Sequence, residues 1–143
     1  MPRRKLSVFL PEGWYEVPDE TPRAFRRRAD RSGVLRISLH PPEGLQHRKD
    51  GKALIVRLHE IIRATKMELG AHLSSEFGPC SEGMMAYGVW RSSHYGLMKF
   101  WLIPAERSVF GVFMSGPDPE QADREAADAH AILESAHFSD TDE

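Results

Sequence analysis

Leu35, Ile37 and Leu39 alternate with Arg36 and Ser38, and a period of two is the signature of a strand with one buried face. The stretch from Ala24 to His40 reads as an early hairpin, two extended runs joined at Asp30-Arg31-Ser32-Gly33, with the first run starting near Arg23. Upstream, residues 6–10 form a short apolar run that ends at Pro11-Glu12-Gly13-Trp14, where proline stops a ladder and glycine permits a turn. Pro41, Pro42 and Gly44 open a loop to Asp50, which is placed to cap a helix.

From residue 51 to about 68 the period changes. Leu54, Leu58, Ile61, Ile62 and Thr65 recur at helical spacing, with Arg57, Glu60 and Arg63 on the other side, and Gly70 suits a left-handed closing position. Four strands are then predicted at 71–77, 83–91, 95–103 and 108–115, joined by connections so short that neighbours must be antiparallel. The third is apolar on both alternating sets, Tyr95, Leu97, Trp101 and Ile103 against Met98, Phe100 and Leu102, so both faces of this sheet need a cover. A second helix is announced by Asp118 as cap, Pro119 in the first turn and Gln121 completing a capping-box pattern. It carries a stripe of Ala122, Ala126, Ala129, Ile132, Leu133 and Ala136. The fold class expected is α+β: one domain over residues 1–138 with an antiparallel sheet flanked by two main helices, and a frayed acidic tail at 139–143.

Opening strand, early hairpin, helix, antiparallel meander and closing helix follow in an order that resembles the PsbP-like superfamily, which groups photosystem II PsbP with the Mog family of Ran-binding proteins. The residues that carry the likeness are Leu10-Pro11-Glu12-Gly13-Trp14 after the first strand and Ile132-Leu133-Glu134-Ser135-Ala136-His137-Phe138 at the close, where the last helix would return one aromatic to the sheet. The resemblance implies an α/β/α sandwich and non-catalytic binding roles, and transfers no functional residue. Many bacterial proteins of this kind look exported or lipid-anchored, and this sequence departs from them. Its basic start, Arg3-Arg4-Lys5, is followed by an apolar run of about five residues, short of the roughly 7 to 15 of a secretory signal.

Composition narrows the function classes. With 143 residues, 41% hydrophobic and 28% charged, the chain is of ordinary globular type. The net charge of −2 and the lack of a long apolar run argue against nucleic acid and membrane as partners. A single cysteine, Cys80, excludes an internal disulfide and fits the reducing cytoplasm. The charge is unevenly laid out: residues 1–71 carry 15 Lys and Arg against 9 Asp and Glu, a net +6, and residues 72–143 carry 4 against 12, a net −8. Complementary halves either neutralise each other within the domain or drive association, including with a second copy. The densest basic ingredient is Arg23, Arg26, Arg27, Arg28 and Arg31.

No catalytic signature is complete. Six residues separate Gly44 from Gly51 where a phosphate loop needs four, and Ala53 offers no hydroxyl. His59-Glu60 starts like a zinc-protease helix, but Arg63 stands where the second histidine belongs. The seven histidines include no pair two, three or four apart, so no metal or cofactor is expected from spacing. Trp90, Arg91, His94, Tyr95 and Trp101 gather about one hairpin, and aromatics with arginine are enriched at interfaces, which makes them the candidate binding residues. The expected function is a non-catalytic protein-binding or regulatory module whose partner is another protein. The alternatives are a small hydrolase-like enzyme whose site assembles only in three dimensions, and a secretion chaperone or immunity protein.

Overall fold

Short connections between apolar runs oblige each strand to fold back on its predecessor. The computed structural model describes residues 4–42, 49–92 and 96–140. In chain order its elements are β1 (Arg4–Ser7), β2 (Trp14–Val17), β3 (Arg23–Arg27), β4 (Val34–His40), α1 (Gly51–Ala64), β5 (Leu69–Cys80), β6 (Gly83–Ser92), β7 (Leu97–Ile103), β8 (Ser108–Met114), α2 (Pro119–Ser135) and β9 (His137–Asp140). Seven strands form one sheet in the order β2-β3-β4-β8-β7-β6-β5, antiparallel at every pairing, and β1 pairs with β9 in a separate ribbon. Among the described residues no helix is long and apolar enough to cross a membrane.

The two apolar sets of β7 part to opposite faces. Trp101 and Ile103 join Phe25, Leu35, Ile37, Met85, Val109 and Phe113 in a core closed by Ala126, Ala129, Ile132 and Leu133 of α2. Met98, Phe100 and Leu102 join Ala86, Trp90 and Phe110 under Leu54, Leu58 and Ile62 of α1. One helix covers each face, which gives the α/β/α arrangement.

Several boundaries differ from expectation. The first strand is Arg4–Ser7 rather than residues 6–10, because its pairing is set by β9, with Leu6 opposite Phe138. Trp14, expected as the end of a turn, starts β2: Gly13 takes φ +89° and Trp14 N donates to Pro11 O at 3.1 Å, so the chain reverses one residue earlier. α1 stops at Ala64, where Thr65 Oγ1 donates to Ile62 O at 2.6 Å and Lys66, not Gly70, takes the left-handed position. Gly70 lies inside β5. Asp118 Oδ1 accepts from Glu120 N at 3.0 Å, but the Gln121 side chain turns away from the cap to donate to Asp30 O and Glu125, so half of the box forms. Phe138 does return to the core, from a strand. Ser139 and Asp140 of the expected tail are paired with Lys5 and Arg4.

Candidate functional site

α1 packs chiefly on β5, β6 and β7, and beyond it Phe110 of β8 is still buried whereas Val112 and Met114 are partly open. Side chains of even number on β8 share its face. Phe110, Val112 and Met114 stand beside Ser38, Arg36 and Val34 of β4, paired in that order, and beside Met98 of β7. Among the described residues they floor a furrow walled by Ile61, Thr65 and Met67 at the end of α1 and by Pro22 before β3, with a central volume of about 430 Å³. It continues past Phe110 and His40 into a recess of about 210 Å³ at Ser108, and past Met114 into one of about 280 Å³ flanked by Arg26 and Arg31. The furrow follows the seven residues of β8, about 20 Å at roughly 3.3 Å each. Three strands lie under it at a spacing of about 4.8 Å, which makes a seat about 10 Å wide, the diameter of a helix.

The furrow's chemistry is apolar in the middle and polar at both ends. Met67, Met98 and Met114 give it a soft, adaptable lining. At one end Ser108 Oγ is buried without a hydrogen-bond partner among the described residues, and His40 Nε2 bonds Ser38 Oγ at 2.8 Å. Arg36 on the rim reaches Glu20 at 3.7 Å and Pro22 O at 3.4 Å, contacts too long to neutralise it firmly. Arg26 and Arg31 are exposed at the far end.

The hairpin residues picked from the sequence do not form one surface. Trp90 lies opposite Met98 and is buried on the α1 side, whereas Trp101 lies opposite Tyr87 and is fully buried on the α2 side, because an even and an odd position in register must diverge. Arg91 is exposed. His94 and Tyr95 lie outside the described residues. The basic group is likewise dispersed. Arg23 makes a two-pronged bond to Glu16 at 2.8 and 2.9 Å and donates to Leu6 O. Arg27 Nε donates at 2.9 Å to Glu125, a carboxylate with no exposure that also accepts from Gly33 N at 2.8 Å and so ties the β3–β4 hairpin to α2. Arg28 stacks on Tyr15. Of the five, Arg26 and Arg31 line a cavity together, at the furrow's end.

Two further clusters have no counterpart in the sequence reading. On the α2 side, Lys99 Nζ sits between the Tyr87 and Trp101 rings, 5.2 and 5.3 Å from their centres. Burial holds its amine below the usual lysine range. Burial together with Glu76 and Glu134 pushes the Tyr87 phenol up. His130 Nδ1 accepts from the Trp101 indole at 3.2 Å, and burial and then Lys99 push its pKa down to about 4, so the ring is neutral where its other nitrogen faces Glu134 at 3.9 Å. Lys99 was the one signal available, a cation in an apolar strand. On the α1 side, His59 and His72 meet at Ser75 over Trp90. Cys80 is half-buried and burial pushes its thiol up, the reverse of an activated nucleophile.

No protein-family model matches the chain, and no curated protein does. Among solved structures it is similar to the solution structure of cyanobacterial PsbP (CyanoP) from Synechocystis sp. PCC 6803. The identity is 14%, the match covers 94% of this chain and 92% of that one, and the TM-score is 0.51. The order of elements and the two-faced sheet are thus those of a PsbP-like fold.

Proposed function

We propose that the protein is a non-catalytic binding module, acting in the cytoplasm, that seats an amphipathic helix of a partner protein in the furrow beside α1. The observation that carries this reading is the apolar stretch of the sheet beyond α1, where Val112 and Met114 are open beside the buried Met98 and Phe110, and whose width and length suit one helix of about 13 residues at 1.5 Å each. Arg36 on the rim and Arg26 with Arg31 at one end select a helix with acidic residues beside its apolar stripe and at one terminus. The single cysteine supports the cytoplasmic address.

A peptide library displayed on phage and selected on the folded chain tests the reading. The enriched sequences should show apolar residues at helical spacing with Asp or Glu beside them, and synthetic copies should bind Val112→Asp at least about tenfold more weakly, a difference of about 1.4 kcal/mol. Enriched peptides that bind Val112→Asp and the parent equally, or that carry Lys and Arg in place of acids, would overturn it. Saturable binding of a fatty acid with no peptide enrichment would assign the furrow to an acyl chain instead.

A further inference from the structure

We propose that His59, His72 and Ser75 form a surface site for one divalent cation from the copper-to-zinc end of the first transition row. His59 comes from α1 and His72 from the start of β5, thirteen positions later. Their Nε2 atoms converge on one hydroxyl, at 2.8 Å from His59 and 2.7 Å from His72 to Ser75 Oγ. A hydroxyl carries one proton, so between two neutral rings it donates to one and accepts from the other. The result is two imidazole nitrogens directed at a common point.

The backbone is arranged to make this meeting. Positions 72 and 75 of an unbroken strand point to opposite faces. In β5 the register slips between Leu69 and His72 and again between His72 and Ser74, so His72 lies opposite Trp90 and Ser75 opposite Gly88, both on the α1 face. Gly88 leaves the room: a Cβ there would stand 2.7 Å from the Trp90 ring and 2.9 Å from Ser75 Oγ. Trp90 backs both imidazoles, its ring centre 5.2 Å from His59 and 4.8 Å from His72, and is itself wedged edge-on against Phe100.

The ring geometry suits one metal ion. The two imidazole centres are 5.2 Å apart with planes at 76°. Two imidazoles bound through Nε2 at about 2.1 Å and a tetrahedral angle place their centres about 5 Å apart. Ser75 Oγ stands at the meeting point of the two nitrogens, so the hydroxyl has to rotate to lie beside the ion rather than in its place. Among the described residues no set of three His, Cys, Asp or Glu is assembled, so the remaining positions fall to the Ser75 hydroxyl and water. Two imidazoles choose copper, nickel or zinc over calcium or magnesium. The charge that opposes a cation is Arg63, one helical turn beyond His59, whose field reaches that ring.

The untagged full chain, titrated with copper(II) and separately with zinc(II) chloride, tests this by calorimetry and by tryptophan emission. One equivalent of copper should quench part of the emission, through Trp90. Losing an outer-shell partner already weakens metal sites about 10–100-fold, so His59→Ala and His72→Ala should each cost at least about tenfold. Arg63→Glu, which touches no ligand, should tighten binding several-fold. Circular dichroism confirms that each variant is folded, and exposed His72 makes that variant the safest. A chain that stays unquenched at about tenfold excess copper, or a folded His59→Ala/His72→Ala double variant that binds as the parent does, overturns the site. So does an Arg63→Glu variant that binds no more tightly.

Discussion

The two faces of the sheet are covered by unequal means. On one, α2 lies beside the β1–β9 ribbon, whose Leu6 and Phe138 reach the same core as Trp14 and Phe25, and the apolar positions from β3 to β7 are closed over. On the other, α1 lies over β5 to β7 and shares a core with Phe110 of β8, and Arg36, Ser38, Val112 and Met114 are left along a furrow. A sheet seven strands wide at about 4.8 Å per strand is broader than any single helix of about 10 Å, so a face with one helix and nothing else cannot be closed. The closed face carries stability. The open one has surface free for recognition.

Adjacent residues of β8 provide the sharpest way to break this comparison. Phe113 is fully buried on the α2 side, and Met114, 38% exposed, floors the furrow. Phe113→Ala should cost about 3–5 kcal/mol of unfolding free energy through lost burial and the cavity left behind. Met114→Ala should stay within about 1 kcal/mol. Urea denaturation of the two variants decides it, and equal losses would mean that the furrow side is as much core as the other.

A second variant probes how the closed face is fastened to the hairpin. Glu125 is fully buried and satisfies Arg27 Nε, Gly33 N and Gln121 Nε2 together. Removing one side of a buried pair leaves the other charge and a buried N–H without a partner, so Glu125→Ala should cost about 3 kcal/mol. The paired change Arg27→Met with Glu125→Leu should recover a large part of that loss. If Glu125→Ala melts with the parent, the hairpin is held by packing alone.

The closed face was also the more legible one. Asp118-Pro119 and the alanine stripe mark α2 because cap chemistry and helical period agree locally, and the two apolar sets of β7 demand two covers whatever the topology. β2 and β9, four residues each, are too short to show a period, and only their partners β3 and β1 make them strands. The furrow was hidden for another reason. Arg36 and Ser38 read as the wet side of a half-buried strand, and what turns that side into a groove is Phe110 and Val112, brought alongside by a pairing some seventy residues distant. The meeting of His59, His72 and Ser75 was hidden by the bulges of β5, since strict alternation sends His72 and Ser75 apart. The two tryptophans failed as a joint surface by the same parity rule, applied across β6 and β7.

The smallest expected effect concerns the polar inlay of the closed face. His130 is half-buried against Trp101, and its pKa falls to about 4 from an ordinary 6.5 because burial disfavours the charged ring and Lys99 adds to the penalty. The groups that face it are Trp101, Tyr87, Lys99 and Glu134. As pH falls through about 6.5 the unfolded chain takes up a proton on this ring, whereas the folded chain does not until about 4. The unfolded state therefore binds more protons across that window, and stability drops as the solution is acidified, with no contribution from this ring above pH 7. A shift of this size converts at about 1.36 kcal/mol per pH unit to roughly 3 kcal/mol, and the solvent that still reaches the ring reduces it to about 1–2 kcal/mol. His59, also shifted down by burial, acts with the same sign in the same window, so the comparison has to be between variants. Urea midpoints at pH 7, 6 and 5 should fall less steeply in His130→Gln, which retains an acceptor for the indole, than in the parent. Identical slopes would place the acid sensitivity of the fold at other groups and leave the Trp101–His130 contact as packing only.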